Sequence, residues 1–350
     1  FVTNTMIEKT ISDKFFGGGL IINSSDSENI RKLDYDMIVK LFEKNGVILF
    51  RGFDIKPEEI TELTDLYTEH YAHDALRRAS RIGQKLVRTV DYNSHDALLR
   101  ANKITQKKLH KVDVVKKKDE DWKMDYDNYE EMSLHSEGSY APDYPEIIWF
   151  YCNEFSTNGK GCTTLCDGIK LWDNLSYETK NFFLLNPIRY KLKIPVAEKK
   201  IGNGKKKWLL NYQGAGDGLL DLSNGLLNIT QIRFAVHPSR LPNKMCFSNH
   251  ILYRDTDPHI LEWGTIDGSK IPQNILDEVK EKSKKLTYDL DWKKNDFVML
   301  DNKRFIHGRR AFKKGDKRDI MIVESSSANF SYGSTTRIKI NQNKSITKKS

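Results

Sequence analysis

EIIWFYC (146–152) opens the part of the chain that decides the fold. After its first residue the run is apolar or aromatic, with the β-branched and aromatic content of a buried strand. Similar short runs follow it, separated by turn residues: TTLCD (163–167), YKLKIPV (190–196), WLLNY (208–212), KMCFSNHILY (244–253), DFVMLD (296–301) and DIMIVESS (319–326). Because helical patterns do not alternate with these runs, the sequence favours a sandwich or barrel over a parallel sheet. It predicts a mostly β fold with flanking helices (α+β), with a sandwich or a jelly-roll barrel as its core.

The flanking helices are predicted from apolar residues at helical spacing. The first is expected at YDMIVKLFEKNG (35–46), just before the short buried strand GVILFRGF (46–53). Three more are expected at KPEEITELTDLYTEHY (56–71), GIKLWDNLSYETKNFFLL (168–185) and PQNILDEVKEKSKKL (272–286). In the second of these four helices, proline stands at the start and acidic residues fill the first turn.

A duplicated basic segment interrupts the first half of the chain. HDALRRASRIGQKLVRTVD (73–91) returns 22 residues later as HDALLRANKITQKKLHKVD (95–113), with eleven of nineteen positions identical. Two copies are too few for a solenoid, and the acidic run KKKDEDWKMDYDNYEEM (116–132) follows them. We predict a helical, basic insertion or lid over residues 73–130. It interrupts a single domain, 1–350, with a core from about 36 to 326 and a basic C-terminal tail at 334–350.

Charge and composition limit the classes of function. Lys and Arg number 57 against 48 Asp and Glu, a net charge of +9, and the excess is concentrated in residues 77–118 and 337–349. Most of this charge is explained by a solvated face, although a positive charge of this size would also suit an anionic partner. Few aromatic residues lie between the basic ones, so nucleic-acid binding is not expected. No run of about 18 apolar residues is present, so no membrane span is predicted.

The cysteines and the N-terminal sequence bear on the compartment. The four cysteines form no C-x-x-C pair, which favours buried free thiols in a reducing compartment. FVTNTMIEKT (1–10) has no signal-peptide pattern, so a cytoplasmic location is predicted. An alternative is a zinc site built from Cys152, Cys162 and Cys166 with a histidine, although their spacing is irregular.

The candidate chemistry begins in LHSEGSYAP (134–142). Residues two apart in a strand point to the same face, so His135 and Glu137 are able to converge on one metal ion. His307, in DFVMLDNKRFIHGRRAF (296–312), offers a third ligand. Two imidazoles and one carboxylate on a single face suit Fe(II) with open coordination positions. Taken alone, the pair also fits a surface histidine beside an ion-paired glutamate.

Two further side chains match a co-substrate that ends in a carboxylate. Arg318 opens the run DIMIVESS eleven residues after the last histidine, and only arginine offers a planar fork with two parallel hydrogen bonds. Thr163, in GKGCTTLCDG (159–168), adds a hydroxyl donor. A chelating keto acid held at its distal end needs both groups. Each residue alone also fits an ordinary surface or strand position.

The order and spacing of these blocks resemble the taurine dioxygenase family of Fe(II)/2-oxoglutarate enzymes, in the clavaminate-synthase-like superfamily. The likeness is to members with H-x-E, and it extends from about Asp36 to Ser326. Four blocks carry it: GVILFRGF, LHSEGSYAPDYPEIIWFYC (134–152), GKGCTTLCDG, and DFVMLDNKRFIHGRRAF followed by KRDIMI (317–322). Cys162 stands where the family has an acid, and the basic insertion replaces a shorter segment.

The resemblance implies a role for each of these residues. His135, Glu137 and His307 would bind Fe(II), and Thr163 and Arg318 would hold the distal carboxylate of 2-oxoglutarate. Arg309 and Arg310 lie nearby, but the family's arginine follows the last histidine by roughly ten residues, which favours Arg318.

The reaction implied by the resemblance consumes 2-oxoglutarate and O2 and releases succinate and CO2. An intact carboxylate at Glu137 favours hydroxylation, with desaturation or cyclisation as alternatives. The expected substrate is an amino acid, free or tethered to an acidic carrier protein, or a related small metabolite. Candidate substrate residues are Ser139, Tyr140, Asn249 and Arg309. The competing interpretation is a non-catalytic jelly-roll module that binds an anionic partner through the basic insertion.

Overall fold

A computed structural model of the chain describes residues 7–10, 19–24, 29–71, 129–140, 144–156, 160–195, 197–201, 205–209, 220–223, 226–253, 260–313 and 316–330. The duplicated repeats (73–113) and the basic tail (334–350) lie outside these residues. The insertion, the tail and the extent of the domain therefore stay predictions.

The described residues form nineteen strands, five α-helices and two 3₁₀ turns. The strands are β1 (Ile7–Thr10), β2 (Leu20–Asn23), β3 (Val47–Arg51), β4 (Thr68–Tyr71), β5 (Met132–His135), β6 (Ile147–Ser156), β7 (Thr163–Asp167), β8 (Ile188–Pro195), β9 (Ala197–Ile201), β10 (Lys205–Leu209), β11 (Leu220–Ser223), β12 (Leu226–Arg233), β13 (Val236–Pro238), β14 (Met245–Phe247), β15 (Ile260–Thr265), β16 (Tyr288–Leu290), β17 (Phe297–Asp301), β18 (Phe305–Arg309) and β19 (Lys317–Ala328). The helices are α1 (Tyr35–Asn45), α2 (Ile60–Asp65), α3 (Gly168–Asn174), α4 (Tyr177–Leu185) and α5 (Gln273–Leu286), and the 3₁₀ turns are Ile30–Lys32 and Pro57–Glu59.

A seven-stranded sheet in the order β1-β2-β3-β17-β6-β19-β4 forms the larger layer. Its pairings are antiparallel except for β2 with β3. The run EIIWFYC falls in β6, with β17 on one side and β19 on the other. Successive side chains of β6 point to opposite faces of the sheet, and both faces are covered by other elements. This explains why the run is apolar throughout and does not alternate with polar residues.

A four-stranded antiparallel sheet, β16-β7-β18-β5, packs against one face of the larger sheet. The core between the two sheets contains Phe150 from the larger sheet and Leu165 and Phe305 from the smaller one. Helices α1 and α2 cover the far face of the larger sheet. Helices α3, α4 and α5, with a sheet in the order β11-β12-β8-β15, cover the far face of the smaller one.

The prediction of a mostly β fold with flanking helices is confirmed. Two helix predictions need correction. The segment 56–71 is a 3₁₀ turn and the short helix α2, and its end is the strand β4, which pairs with β19. The segment 168–185 is two helices, because the Ser176 hydroxyl accepts a hydrogen bond from the Thr179 N–H and starts a new helix there.

A buried ion pair fixes the hairpin that leads into β18. Arg304, in the turn between β17 and β18, donates from Nε to Asp167 Oδ1 at 3.1 Å and from Nη2 to Oδ2 at 2.5 Å. Asp167 Oδ1 also accepts from the Ile169 N–H at the start of α3. Both charged residues are buried, so the pair ties the end of β7 to the start of β18 without solvent screening.

The structure also bears on the predictions of buried free thiols and of no membrane span. All four cysteines are free and buried. Burial raises the thiol pKa of Cys152 to about 12 and raises those of Cys162, Cys166 and Cys246 as well. In the described part of the chain, no helix is long and apolar enough to cross a bilayer.

Candidate active site

The pairing of β18 with β5 brings the predicted metal ligands together. His307 lies directly opposite His135 in the register of these antiparallel strands. The ring of His307 lies 5.5 Å from that of Phe150, so it points into the space between the two sheets. Its neighbour Ile306 packs on the opposite face, among the helices. Strand alternation therefore directs both imidazoles to the inner face.

The three candidate ligands have the separation that a single metal ion requires. One ligand atom each from His135, Glu137 and His307 lies within 4.8 Å of the others. His135 Nε2 is 3.6 Å from Glu137 Oε2, and the two imidazole centroids are 4.6 Å apart. Both histidines are buried and Glu137 is half-buried, which leaves one side open to a ligand.

A hydrogen bond sets the tautomer of the first ligand. His135 Nδ1 lies 2.9 Å from the carbonyl oxygen of Ser133, so the proton is assigned to Nδ1. The lone pair on Nε2 then points toward Glu137. Metal-binding histidines are commonly oriented in this way by a carbonyl acceptor. The donor set of two imidazole nitrogens and one carboxylate oxygen fits Fe(II).

The zinc alternative is not supported. Among the described residues, no other group of three or more His, Cys, Asp or Glu side chains has ligand atoms close enough for one ion. Cys152 belongs to the core between the sheets, whereas Cys166 packs among the helices on the other side of β7. Because strands β6 and β7 direct these side chains into different cores, the thiols do not converge.

Arg318 and Thr163 lie on the same inner face as the triad. Arg318 donates from Nε to the Gly161 carbonyl at 2.7 Å and from Nη2 to Thr163 Oγ1 at 3.3 Å. Gly161 has φ of +66°, and a Cβ there would lie 3.2 Å from the Arg318 side chain, so glycine is needed at this position. Trp292 Nε1 donates to the same threonine oxygen at 3.0 Å. With two donors aimed at its oxygen, the Thr163 hydroxyl proton is directed to another acceptor.

Among the described residues, the Arg318 guanidinium forms no ion pair, although Asp319 lies near enough to act on its charge. In the part of the chain that the structure describes, the guanidinium hydrogen-bonds to one carbonyl and one hydroxyl and to no carboxylate. Burial, together with the charge of Arg309, lowers the pKa of the Arg318 guanidinium to about 10. A bound carboxylate would relieve both effects. The site therefore fits a co-substrate that ends in a carboxylate.

The two neighbouring arginines have different surroundings. Arg310 points outward and forms ion pairs with Asp289 and Glu131. Arg309 lies opposite Thr163 in the register of β18 and β7, and burial lowers the pKa of its guanidinium. Its Nη2 donates to the Glu130 carbonyl at 2.9 Å. Arg309 therefore shares the inner face of the triad, and Arg310 does not.

The remaining predicted substrate residues divide into two kinds. Ser139 donates its hydroxyl to the Ser136 carbonyl at 2.9 Å, within the turn after β5. Asn249 donates from Nδ2 to the Ala235 carbonyl and accepts from the Ile251 N–H. These two side chains are therefore used inside the fold. Tyr140 is half-buried: its ring lies 5.0 Å from that of His250, and it packs against the core on the side of the helices.

Two aromatic residues beside the triad were not predicted from sequence. Tyr253 stacks on the His135 ring with centroids 4.6 Å apart and planes at 26°. His250 lies 5.3 Å from the same ring, and its Nδ1 is 3.4 Å from the Ser136 carbonyl oxygen. Both follow β14 in the run KMCFSNHILY, where the polar SNH triplet interrupts an apolar stretch. That interruption is the sequence signal from which these two residues could have been predicted.

Two packed sheets enclosing two imidazoles, one carboxylate and a buried guanidinium form the arrangement of mononuclear non-haem iron oxygenases. A family model described as taurine catabolism dioxygenase TauD, TfdA family matches residues 14–323. This chain belongs to that family. It is a 2-oxoglutarate-dependent dioxygenase that uses Fe(II), with 2-oxoglutarate and O2 as co-substrates, and its substrate is a small molecule.

Individual relatives are distant. The 3-((Z)-2-isocyanoethenyl)-1H-indole synthase of Fischerella ambigua (strain UTEX 1903) is 21% identical over 314 residues, which cover 87% of this chain and 91% of the relative. The crystal structure of AAD-2 with Mn(II) and N-oxalylglycine has a TM-score of 0.50 and 14% identity, covering 93% of this chain and 97% of that one. A structure from Burkholderia xenovorans, described under the name alpha-ketoglutarate-dependent taurine dioxygenase, has a TM-score of 0.51 and 11% identity, covering 91% and 92%. At these identities the two structures show likeness of fold.

Proposed function

We propose that His135, Glu137 and His307 hold the Fe(II) of this dioxygenase, and that Thr163 and Arg318 bind the distal carboxylate of 2-oxoglutarate. One observation carries the proposal. The three ligand atoms lie within 4.8 Å of one another, and Arg318 lies on the same face between the sheets, in contact with Thr163. The two sheets are the halves of the double-stranded β-helix core that the family resemblance implies.

Iron with 2-oxoglutarate and O2 supplies an oxidant able to remove hydrogen from an unactivated carbon. The chain's own residues bind the iron and the co-substrate, orient them and exclude water from the site. The Ser133 carbonyl orients His135, and the N–H of Trp292 orients the Thr163 hydroxyl. Phe150 covers His307 on the side of the larger sheet. An apolar wall of this kind strengthens the ionic hydrogen bonds inside the site.

For the substrate we propose an amino acid or a related small polar metabolite, hydroxylated at an unactivated carbon. Arg309 provides a half-buried cation near the triad, and Tyr140 provides an aromatic surface. Gln231 adds a polar group: it is fully buried, and its Nε2 has no hydrogen-bond partner among the described residues. Gln231 lies opposite Tyr190, whose ring centroid is 6.4 Å from that of Tyr140. These donors suit a substrate with a carboxylate or another strong acceptor.

Desaturation is the second candidate reaction, and one observation favours it. The product named for the Fischerella ambigua relative contains an ethenyl group, and hence a carbon–carbon double bond. The same site would remove two hydrogens in place of inserting oxygen. Product masses separate the two reactions, because hydroxylation adds one oxygen atom and desaturation removes two hydrogen atoms.

The less specific proposals concern the rest of the chain. We propose a single cytoplasmic domain, 1–350, with the core at 36–326, the insertion or lid at 73–130 and the tail at 334–350. The net charge of +9 would suit an acidic carrier protein that presents a tethered substrate. A carrier complex that weakens as salt rises would support this form, and the absence of any such complex would exclude it.

The proposed function is tested by anaerobic addition of Fe(II) and 2-oxoglutarate. The wild-type protein should develop the weak visible metal-to-ligand charge-transfer band, and the variant His307→Gln should not. His237→Gln, at a histidine of β13 outside the triad, is the matched control and should keep the band. Amino acids and related acids are then screened for succinate release above background. A missing band in the wild-type protein, with no succinate from any compound, would leave the non-catalytic binding module as the better interpretation.

A further inference from the structure

Asn302 occupies the turn between β17 and β18 and is completely buried. Its carboxamide contacts the backbone of Glu137 twice. Oδ1 accepts from the Glu137 N–H at 2.9 Å, and Nδ2 donates to the Glu137 carbonyl at 3.0 Å. One planar group therefore holds both peptide groups of a single residue. This restricts the backbone of Glu137 more than either hydrogen bond alone.

The same carboxamide closes the loop that follows β5. Nδ2 also donates to the Pro145 carbonyl at 2.8 Å, so one nitrogen joins the two ends of the segment 137–145. The backbone of Asn302 adds further connections, because its carbonyl accepts from the Ser136 hydroxyl at 2.7 Å and from the Ser248 hydroxyl at 3.2 Å. The turn thus connects the segments after β5 and after β14.

This position matters because the candidate ligands come from distant parts of the chain. His307 lies five residues after Asn302 along the hairpin, whereas Glu137 is 165 residues away in sequence. The β5–β18 pairing fixes His135, but Glu137 lies beyond the end of β5 and outside that ladder. The register of the strands therefore does not fix the backbone of Glu137, and the Asn302 carboxamide holds that backbone through two hydrogen bonds.

We infer that Asn302 is a positioning residue for the metal site, holding Glu137 at the distance from His307 that an Fe(II) ion requires. The inference rests on the proposed roles of His135, Glu137 and His307. Groups that orient metal ligands typically contribute about 10- to 100-fold to metal affinity. The hydrogen bonds from Asn302 hold the backbone of Glu137. Removing the two donor hydrogens of the Asn302 carboxamide should therefore lower metal affinity by about 10- to 100-fold.

The test is the isosteric variant Asn302→Asp. Aspartate keeps the acceptor for the Glu137 N–H but places an oxygen against the two carbonyls of Glu137 and Pro145. The matched control is Asn45→Asp, since Asn45 is buried at the end of α1 and donates from Nδ2 to the Leu41 carbonyl at 2.8 Å. Both substitutions should lower the melting temperature, but only one lies beside the candidate ligands.

Co(II) titration under anaerobic conditions measures metal affinity without turnover, and far-UV circular dichroism checks that each variant is folded. We expect Co(II) to bind about 10- to 100-fold more weakly to Asn302→Asp than to the wild-type protein, with Asn45→Asp unchanged. If Asn302→Asp does not fold, Ser136→Ala is the milder substitute, because it removes only the hydrogen bonds from the Ser136 hydroxyl to Asn302. It should weaken Co(II) binding roughly threefold to tenfold.

Three outcomes would count against the inference. Wild-type Co(II) affinity in a folded Asn302→Asp, or in Ser136→Ala where that variant stands in for it, would overturn it. Equal weakening by both Asn→Asp variants would also overturn it, because the metal affinity would then follow stability alone. If the wild-type protein itself binds no Co(II), the proposed metal site fails, and that result is distinct from failure of the role of Asn302.

Discussion

Replacing Thr163 by valine tests the co-substrate site with almost no change of shape. The hydroxyl accepts from Trp292 Nε1 at 3.0 Å and from Arg318 Nη2 at 3.3 Å, and its proton is proposed to reach 2-oxoglutarate. Valine removes all three interactions and fills nearly the same volume. Thr164→Val is the matched control, since Thr164 is equally buried on the same strand and points to the opposite face.

Two separate magnitudes follow from these contacts. A hydrogen bond to a carboxylate contributes about 1.5–3 kcal/mol, which corresponds to about a tenfold to hundredfold loss of 2-oxoglutarate affinity. The Trp292 N–H is buried and loses its acceptor, so the free energy of unfolding should also fall by about 1–3 kcal/mol. Thr164→Val should leave the co-substrate affinity unchanged.

Anaerobic titration of the Fe(II)-loaded protein with 2-oxoglutarate, followed by the charge-transfer band, gives the dissociation constant for each variant. Urea denaturation gives the free energy of unfolding. Wild-type 2-oxoglutarate affinity in Thr163→Val would refute the proposed role of the hydroxyl. A loss of stability without a loss of affinity would show that Thr163 serves only to satisfy Trp292.

Four further predictions address other contacts. Arg318→Lys should weaken 2-oxoglutarate about tenfold or more in the same titration, because the bidentate fork is lost, while Arg310→Lys in its exposed ion pairs should have no effect. Gly308→Ala places a Cβ against a backbone carbonyl of β5, so it should displace that strand and weaken Co(II) binding in a titration. Asp167→Ala leaves the buried Arg304 charge unpaired and should cost about 3–5 kcal/mol in urea denaturation; a cost below about 1 kcal/mol would contradict the pairing. The four buried thiols should react with iodoacetamide only after unfolding, as measured by mass spectrometry, because burial raises their pKa values.

Much of the fold could be predicted because the strongest signals in the sequence are local. The strands β7 and β17 fall within the predicted apolar runs, and α5 begins one residue after the predicted start. The failure at 56–71 has a physical cause. The last four residues of that segment, Thr68–Tyr71, pair with β19, and the gain from this sheet pairing outweighs a weak helix propensity. Such a partner, over 250 residues away in sequence, leaves no local signal.

The proposed metal triad rests on a different kind of signal. The H-x-E spacing was interpreted as part of a strand, but β5 ends at His135 and Glu137 lies in the turn after it, where its carboxylate still comes within 3.6 Å of His135. The family spacing supplies His307 and Arg318. Neither the spacing nor the resemblance reveals which groups hold the ligands in place. The Ser133 carbonyl, the Trp292 N–H and the Asn302 carboxamide are common chemical groups, and they become specific only through contacts between distant segments.

The same distinction bears on the substrate. Ser139 and Asn249 were predicted from their nearness to the ligands in sequence, yet both side chains are used in hydrogen bonds within the fold. Side chains that hold a turn contribute little to selecting a substrate, because changing them moves the backbone first. Tyr253 stacks on His135, Arg309 shares the inner face of the triad, and Tyr140 packs on His250. These three side chains lie on three different segments and are better placed to vary. We therefore expect substitutions at these three positions to change the preferred substrate while metal affinity is kept, and substitutions at Ser139 or Asn249 to lower stability first.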